Sequence, residues 1–484
     1  MNIFNYDDDF SSNEYNENMD EQFRHYSRLL RKPKDQRELP DSEMLEELVY
    51  YCLEKEKYYE ALDFSNMWLE SSPHSLEAMQ KKGVILLNLN RFDDALICFD
   101  TILSMYPYDS EGIINKAYTL DSLGKSTEAL NLTEELLERE PGNEEAILQK
   151  GLILESLERY REAIIILDSL SDSMRYLRDA LSEIAYCYNC LDELDMSIQF
   201  YEKSIDEDPF DANIWFNKGV THLDLGHLFA SIECFENAVA IDPKMAMAWY
   251  NKGNAYASIG MLSESIENYR QAIKIDPKDT DLWHNLASAL GDSGNYDEAV
   301  ICFTKALDIN PLHSQSYFGR GICYDAQEKF DLAIEDYNKA IILKHDNPEL
   351  WYAKADALYN LGRPEDAVRC YQRALDLNPD HYDCLIDYGA TLFELNQVNE
   401  AEDVFLKVIK IAPENAEGFY ELAKVHARYG NILDATLLLA KSFKINNKKR
   451  IDFECEFPDI IGLSEFPAFS ASVELYFNEI EDIY

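Results

Sequence analysis

The feature of this sequence that most restricts its fold is its similarity to itself at a fixed interval of 34 residues. The segment AWYNKGNAYASIGMLSESIENYRQAIKIDP, residues 248–277, is followed 34 residues later by LWHNLASALGDSGNYDEAVICFTKALDINP, residues 282–311. If position 1 of a unit is placed at Ser42, twelve such units cover residues 42–449 without an insertion or a deletion. A period of this length indicates a repeat architecture, in which each unit packs on its neighbours.

The apolar residues predict two amphipathic helices in each unit. Position 20 is Ala or Ser in all twelve units, and position 8 is Gly or Ala in every unit except the first, which has Val49. Positions 4 and 24 are mostly large and apolar, often aromatic. Positions 4, 8 and 11 share one face of a helix, and positions 20, 24 and 27 share a face of a second helix. Small residues at positions 8 and 20 allow the two helices to approach closely.

Turn-forming residues separate the predicted helices. Position 15 is Gly in six units and Asn in two, and both residues accept the left-handed backbone conformation that ends a helix. Position 32 is Pro in nine units, where it ends the second helix. One helix pair cannot bury its own apolar face, so the units must stack to form a continuous core.

This arrangement of Trp, Gly, Tyr, Ala, aromatic, Ala and Pro over 34 residues resembles the tetratricopeptide repeat, or TPR. The resemblance implies an all-α fold, a right-handed superhelix of about twelve helix-turn-helix repeats whose first helices line a concave groove. The acidic composition also resembles that of TPR proteins from Bacteroidetes-type bacteria.

We expect four regions along the chain. Residues 1–41 form an acidic, partly disordered extension with a short helix, and residues 42–177 form four divergent TPR units. Residues 178–449 form eight consensus-like units, the fifth to the twelfth. Residues 450–484 are acidic and aromatic, and either cap the final helix or dock on another protein.

The fourth unit departs from the pattern at its end. Arg175 stands where most units have Pro, and position 27 is bulky in the first four units: Trp68, Ile102, Leu136 and Leu170. Two interpretations remain open. Either the geometry of the array changes around residues 171–179, as at a hinge, or the solenoid continues there with poorer local packing.

Charge and composition exclude several classes of function. The chain has 44 Lys and Arg against 91 Asp and Glu, a formal net charge of −47. Such a surface repels nucleic acid and anionic membranes and favours basic partners. The alternative is that the acidic surface only keeps the protein soluble. Neither a secretory signal nor an apolar run long enough to span a bilayer is visible, and ten cysteines are too few for a disulfide scaffold. We therefore expect a cytoplasmic protein.

No catalytic motif stands out in the sequence. We find no Gly-rich phosphate loop, HExxH or GxSxG, and the lone CxxC at Cys187–Cys190 has no second pair with zinc-ligand spacing. We predict that the protein is not an enzyme and needs neither cofactor nor metal. The sequence favours an interaction scaffold. The alternative is a targeting or regulatory subunit of an enzyme complex, such as one with a glycosyltransferase partner.

The TPR resemblance places particular side chains in the concave groove. There we expect an aromatic stripe, a ladder of amides and several carboxylates, suited to an extended, basic protein segment. The basic stretch Arg28–Arg37 offers a competing occupant through self-association. The predicted partner-binding residues are Phe216, Asn217, Tyr250, Asn251, Asn254, His284, Asn285, Phe318, Asp325, Tyr352 and Asp356.

Overall fold

The computed structural model describes residues 12–30 and 40–456, and within these ranges all regular structure is helical. The chain forms two compact units, Met1–Pro243 and Lys244–Tyr484. The helices of the first compact unit are α1 (Ser12–Leu30), α2 (Ser42–Glu54), α3 (Tyr58–Ser71), α4 (Leu76–Asn88), α5 (Phe92–Met105), α6 (Ser110–Ser122), α7 (Ser126–Arg139), α8 (Glu144–Ser156), α9 (Tyr160–Asp168), α10 (Leu177–Cys190), α11 (Leu194–Glu207), α12 (Ala212–Asp224) and α13 (Leu228–Ile241).

The second compact unit continues the same alternation of first and second helices. No helix within residues 12–30 and 40–456 is both long enough and apolar enough to cross a bilayer. The helices of the second unit are α14 (Ala246–Ser258), α15 (Leu262–Ile275), α16 (Thr280–Asp292), α17 (Tyr296–Ile309), α18 (Ser314–Ala326), α19 (Phe330–Leu343), α20 (Pro348–Asn360), α21 (Pro364–Leu377), α22 (Tyr382–Glu394), α23 (Val398–Ile411), α24 (Ala416–Arg428), α25 (Ile432–Ile445) and α26 (Lys448–Glu456).

Position 15 ends the first helix of every repeat in the left-handed conformation. The six glycines and two asparagines at this position have positive φ, as the sequence predicts. The other four repeats place an acidic residue there with positive φ: Glu56, Glu158, Asp192 and Glu328. Since non-glycine residues rarely adopt this conformation, the geometry of the helix pair overrides the local preference at these four sites.

The two helices of a repeat meet where position 8 faces position 24. At Gly253 of α14, an added Cβ would lie 2.7 Å from the ring of Tyr269 on α15. Gly219 stands in the same relation to Phe235, and Gly321 to Tyr337. All three rings are buried, so a glycine at position 8 and an aromatic ring at position 24 form the core of these repeats.

The fourth repeat ends differently from the others. Its second helix, α9, stops at Asp168, and the next helix begins only at Leu177. In between, the Ser173 hydroxyl accepts hydrogen bonds from the backbone N–H groups of Arg175 and Tyr176. The same hydroxyl donates to Glu144 at 2.9 Å, so a hydrogen-bonded turn stands here in place of the proline found in nine other repeats.

Helices outside the twelve repeats cover both ends of the array. On α1, Met19 is buried and the Phe23 ring lies 5.4 Å from Tyr51 and 6.4 Å from Phe64. On α26, Phe453 is buried beside Leu439. Most of the basic stretch Arg28–Arg37 and most of the C-terminal region lie outside the described residues.

Candidate binding face of the first helices

All eleven predicted binding residues lie on first helices of repeats, and all are partly buried. Two of them lie on α12 in the first compact unit, and the other nine lie on α14, α16, α18 and α20 in the second. Within each compact unit, we call the surface formed by repeat positions 2, 5, 6, 9, 12 and 13 of the first helices the first-helix face of that unit.

The aromatic residues at position 5 do not stand alone on this face. Each ring packs against the position-24 ring of its own repeat, with centroids 5.5 to 6.2 Å apart. One side of each ring is therefore covered, which fixes its orientation. The pairs are Phe216 with Phe235, Tyr250 with Tyr269, His284 with Phe303, Phe318 with Tyr337 and Tyr352 with Tyr371.

The predicted amide ladder is partly used within the fold. The Asn285 side chain donates to the Tyr250 hydroxyl at 2.8 Å, and the Asn254 side chain accepts from the Tyr269 hydroxyl at 2.7 Å. Neither Asn217 nor Asn251 has a side-chain hydrogen bond within the described residues. Asn254 and Asn285, in contrast, are each hydrogen-bonded to a tyrosine hydroxyl.

Three carboxylates lie close together in the second compact unit. Asp356 accepts a hydrogen bond from Tyr371 at 2.6 Å, and Asp387 accepts one from Tyr352 at 2.7 Å. Burial raises the pKa of Asp356 to about 7, and the nearby charges of Asp387 and Asp325 act in the same direction. Sequence reasoning missed Asp387, although its signal was present: it occupies position 6, which carries Asn in earlier repeats.

His284 contributes no positive charge to the face. Burial, followed by the neighbouring His313, lowers the pKa of His284 to about 4, so its ring is neutral near pH 7. Its Nδ1 lies 3.1 Å from the Ser316 hydroxyl, which also lies 2.7 Å from Nδ1 of His313. This pair of contacts fixes the imidazole in the row of position-5 rings.

Four of the basic residues at position 7 form ion pairs with acids on second helices. Lys116, Lys150 and Lys218 pair with Asp100, Glu134 and Glu202 at 2.7 to 3.0 Å. In the second compact unit, Arg320 forms a two-pronged hydrogen bond with the buried Asp336 and also donates to Thr304. These cations therefore compensate acids of the second helices.

The CxxC pair lies within α10, with Cys187 buried and Cys190 exposed. The buried Cys187 thiol donates to a Glu155 oxygen at 3.4 Å, and burial raises the pKa of that thiol. A raised pKa disfavours the reactive thiolate. Across the described ranges, no group of three or more His, Cys, Asp or Glu side chains is placed to hold a metal ion.

Family models cover most of the repeat array. Models described as "Tetratricopeptide repeat" match residues 212–245, 280–341 and 352–435, and a "TPR repeat" model matches 253–294 and 323–362. A model of the N-terminal TPR repeats region of psidin matches residues 117–223. Taken together, these matches span well over half of the chain.

The solved structures that are similar to this chain have low sequence identity, and no curated protein matches the chain. YrrB, titled a TPR protein with an unusual peptide-binding site, is 25% identical over 40% of this chain and 98% of its own, with a TM-score of 0.36. The APC/C hetero-tetramer Cut9–Hcn1 is 16% identical over 84% and 94%, with a TM-score of 0.40. The C-terminal part of a TPR repeat-containing protein from Cytophaga hutchinsonii is 18% identical over 49% and 97%, with a TM-score of 0.44.

Proposed function

Because the chain belongs to the tetratricopeptide repeat family, whose members are protein–protein interaction scaffolds, we propose that it binds an extended, basic segment of another protein on its first-helix face. It does so as a scaffold without an enzymatic activity of its own. Most of the predicted contact residues lie in the second compact unit, so the argument begins there.

The observation that carries this proposal is a difference in ion pairing: two acids on first helices lack basic partners, whereas an acid on a second helix has one. Asp325 and Asp356 have no basic residue within ion-pair distance in the described structure, whereas Arg320 is committed to Asp336 on a second helix. Burial raises the pKa of Asp325 as well as that of Asp356. Carboxylates held near one another without a cation favour a ligand that supplies one.

The uncharged residues suit an extended chain. The partly exposed rings of Tyr250 and Phe318 offer apolar area and faces for cations, each cation contact contributing roughly 0.5–2 kcal/mol. The free amide of Asn251 can pair with backbone groups of a ligand without regard to its sequence. Recognition would therefore depend on basic charge and extended form more than on one exact sequence.

The proposal is tested with a fluorescein-labelled, unstructured peptide in which Lys alternates with Ser and Gly, and with a matched peptide that carries Glu in place of Lys. Fluorescence anisotropy gives the dissociation constant at low and at high salt. The test variant is Asp325→Asn with Asp356→Asn, which leaves side-chain oxygens able to accept a hydrogen bond. The control is Asp100→Asn with Glu202→Gln, which makes the same change of charge on second helices.

We expect the Lys peptide to bind, the Glu peptide not to bind, and added salt to weaken binding. The first-helix variant should bind about tenfold more weakly, because a lost interaction of 1.4 kcal/mol changes the affinity by that factor. The second-helix control should bind within about twofold of the wild type. Binding that ignores both the first-helix variant and the salt would place the ligand elsewhere and refute the proposal.

A further inference from the structure

One position of the first helices is apolar throughout the first compact unit. Position 9 carries a tyrosine, a valine or a leucine in all six repeats of that unit, and none of these side chains is fully buried. In the second compact unit, only Ile322 and Ala390 are apolar at this position. We call the six side chains of the first unit the position-9 row: Tyr50, Val84, Tyr118, Leu152, Tyr186 and Val220.

The first helices that carry this row are joined to one another in chain order. A side-chain hydrogen bond of 2.7 to 3.4 Å links each helix from α2 to α12 with the next first helix or with its N-terminal cap. Because position 9 recurs on each of these linked helices, its side chains form one continuous row. The linking pairs are Tyr50 with Glu77, Gln80 with Asp109, Asp121 with Ser156, Glu155 with Cys187, and Asn189 with Thr221.

Exposed apolar residues on the second helices of the same unit are arranged differently. Ile97 and Ile165 are well exposed at position 22, but the repeats beside them have Asp63, Asn131 and Gln199 there. Single exposed apolar residues are normal on a protein surface, whereas a continuous apolar row bordered by polar residues marks an interaction surface. The position-9 row is of the second kind.

Acidic side chains border the row at position 2, which is Glu or Asp in each of the first five repeats. Glu77, Glu111 and Glu145 form no ion pair in the described structure. A base on the same face, Lys81, is buried against the ring of Tyr50, with its Nζ 4.9 Å from the ring centroid. This border therefore favours a ligand that brings basic side chains of its own.

The opposite border carries less charge. Position 13 is uncharged from the second repeat to the fifth. Between that border and the row, Asp121 and Glu155 accept hydrogen bonds from the next first helix. A ligand with a basic flank would therefore place that flank along position 2. The position-13 residues of these repeats are Asn88, Ser122, Ser156 and Cys190.

The spacing of the first helices indicates the form of the ligand. Helices that pack side by side lie about 8–10 Å apart, so the row offers one apolar side chain at roughly that interval. An α-helix returns to the same face every seven residues, about 10.5 Å along its axis. Neighbouring residues on one face of a β-strand are only about 6.8 Å apart, so a strand would not stay in step with the row. An amphipathic helix fits both the row and its acidic border.

We propose that the position-9 row is a docking surface for an amphipathic α-helix of another protein. The apolar stripe of that helix lies along the row, and its Lys and Arg side chains lie along the position-2 acids. The surface belongs to the first compact unit, whereas Asp325 and Asp356 lie in the second. It also selects a different chemistry, because the extended basic segment of the proposed function needs no apolar stripe.

The proposal is tested on the full chain with three fluorescein-labelled peptides, whose dissociation constants are measured by fluorescence anisotropy. The first is an alanine-based helix with a stripe of Leu and a flank of Lys. The second has the same composition in scrambled order, and the third keeps the order but has a central Pro that breaks the helix. We expect the striped peptide to bind at least about tenfold more tightly than the other two. Equally tight binding of the scrambled or the Pro peptide would overturn the proposal.

Variants of the row test which side chains hold the helix. Leu152→Gln with Tyr186→Gln should weaken binding of the striped peptide about tenfold or more, because it removes apolar area from the row. The control Ile97→Gln with Ile165→Gln removes exposed apolar side chains from second helices and should bind within about twofold of the wild type. Equal affinities of the row variant and the control would refute the docking surface.

The acidic border has its own variant. Glu111→Gln with Glu145→Gln should weaken binding of the striped peptide and reduce the effect of added salt on its affinity. An unchanged salt dependence would show that the basic flank does not lie along position 2 and would overturn the proposed orientation.

Photocrosslinking locates the helix on the wild-type chain and does not depend on the stability of any variant. A benzophenone group replaces one Leu of the stripe, and the labelled residues are identified by peptide mapping with mass spectrometry. We expect labels on α4, α6, α8 and α10, which carry the central part of the row. Labels confined to second helices or to the second compact unit would overturn the proposal.

The two binding proposals can fail separately. The Asp325→Asn, Asp356→Asn variant should bind the striped peptide as the wild type does, and the row variant should bind the extended Lys peptide as the wild type does. Binding of the striped peptide that is lost in the aspartate variant but kept in the row variant would refute the docking surface and leave the proposed function intact. Binding that is lost only in the row variant would support the docking surface even if the proposed function failed its own test.

Discussion

Gly253 lies in the interior of α14, where replacement by alanine tests the small–aromatic pairing directly. In an exposed helix interior this change would stabilise the protein by about 1 kcal/mol, because alanine has the higher helix propensity. Here the new Cβ would lie 2.7 and 2.8 Å from two carbons of the Tyr269 ring, closer than real Cβ contacts allow. The ring must therefore move.

Tyr269 has little freedom to move. Only 3% of it is exposed, its hydroxyl donates to Asn254 at 2.7 Å, and its ring packs on Tyr250. Overpacking of a core costs about 1–3 kcal/mol, and straining the buried hydrogen bond costs about 1 kcal/mol more. After the gain in helix propensity is subtracted, we expect a net loss of roughly 1–3 kcal/mol.

Gly291 of α16 provides the matched control. An added Cβ there would meet only the sulfur of Cys323, at an ordinary contact distance of 3.5 Å. Gly291→Ala should therefore be neutral or slightly stabilising, opposite in sign to Gly253→Ala.

The assay is urea denaturation followed by circular dichroism, together with hydrogen exchange resolved to individual helices. Exchange should accelerate mainly in α14, α15 and the helices that pack on them, because each repeat contacts only its neighbours. If Gly253→Ala proved as stable as the wild type, or Gly291→Ala proved the less stable of the two, the assignment of position 8 to the tight helix contact would be wrong.

The remaining predictions concern buried charge in the second compact unit. Arg320→Met should lower the free energy of unfolding in urea by about 3 kcal/mol or more, because it leaves the 3%-exposed carboxylate of Asp336 without its two-pronged partner. Adding Asp336→Leu should recover most of that loss. The pKa of Asp356 is about 7 in the folded protein, above its value in the unfolded chain. The protonated carboxyl therefore stabilises the folded state fully at pH values below the unfolded pKa, and this stabilisation is lost as the pH rises to about 7. The fall in thermal midpoint between pH 5 and pH 8 should therefore be smaller in Asp356→Asn than in the wild type, and an equal fall in both would contradict the raised pKa.

The repeat pattern alone allowed the helices to be placed. Apolar periodicity and turn residues are local properties of the chain, and Asn347 before Pro348 shows how directly they act: the Asn side chain caps α20 and the Pro opens it. The tight contact at Gly253 was predictable for a related reason, because a fixed period makes every repeat meet its neighbour in the same way.

The tertiary structure decided how the polar residues are used. Sequence reasoning treated the position-6 residues as one ladder of amides. The structure distinguishes them, because Asn285 donates to Tyr250, 35 positions earlier, whereas the residue at the corresponding position before Gln149 is Ile114, which offers no hydrogen-bonding group. Such a distinction requires knowing which two positions meet across a repeat boundary, and no local pattern carries that information.

Contacts between helices also explain why acidic residues adopt the left-handed conformation and which carboxylates have a hydrogen-bond partner. Glu158 is a poor residue for positive φ by local preference, yet it adopts φ 57° because the helix pair on either side requires the turn. The number of acids is plain from composition, but whether Asp356 is matched by a hydroxyl or Glu183 is left without a partner depends on packing between helices. The sequence by itself determined the repeats and their helices, since these follow from short-range periodicity. Only the tertiary structure decided which polar groups are satisfied, since that depends on contacts between residues far apart along the chain.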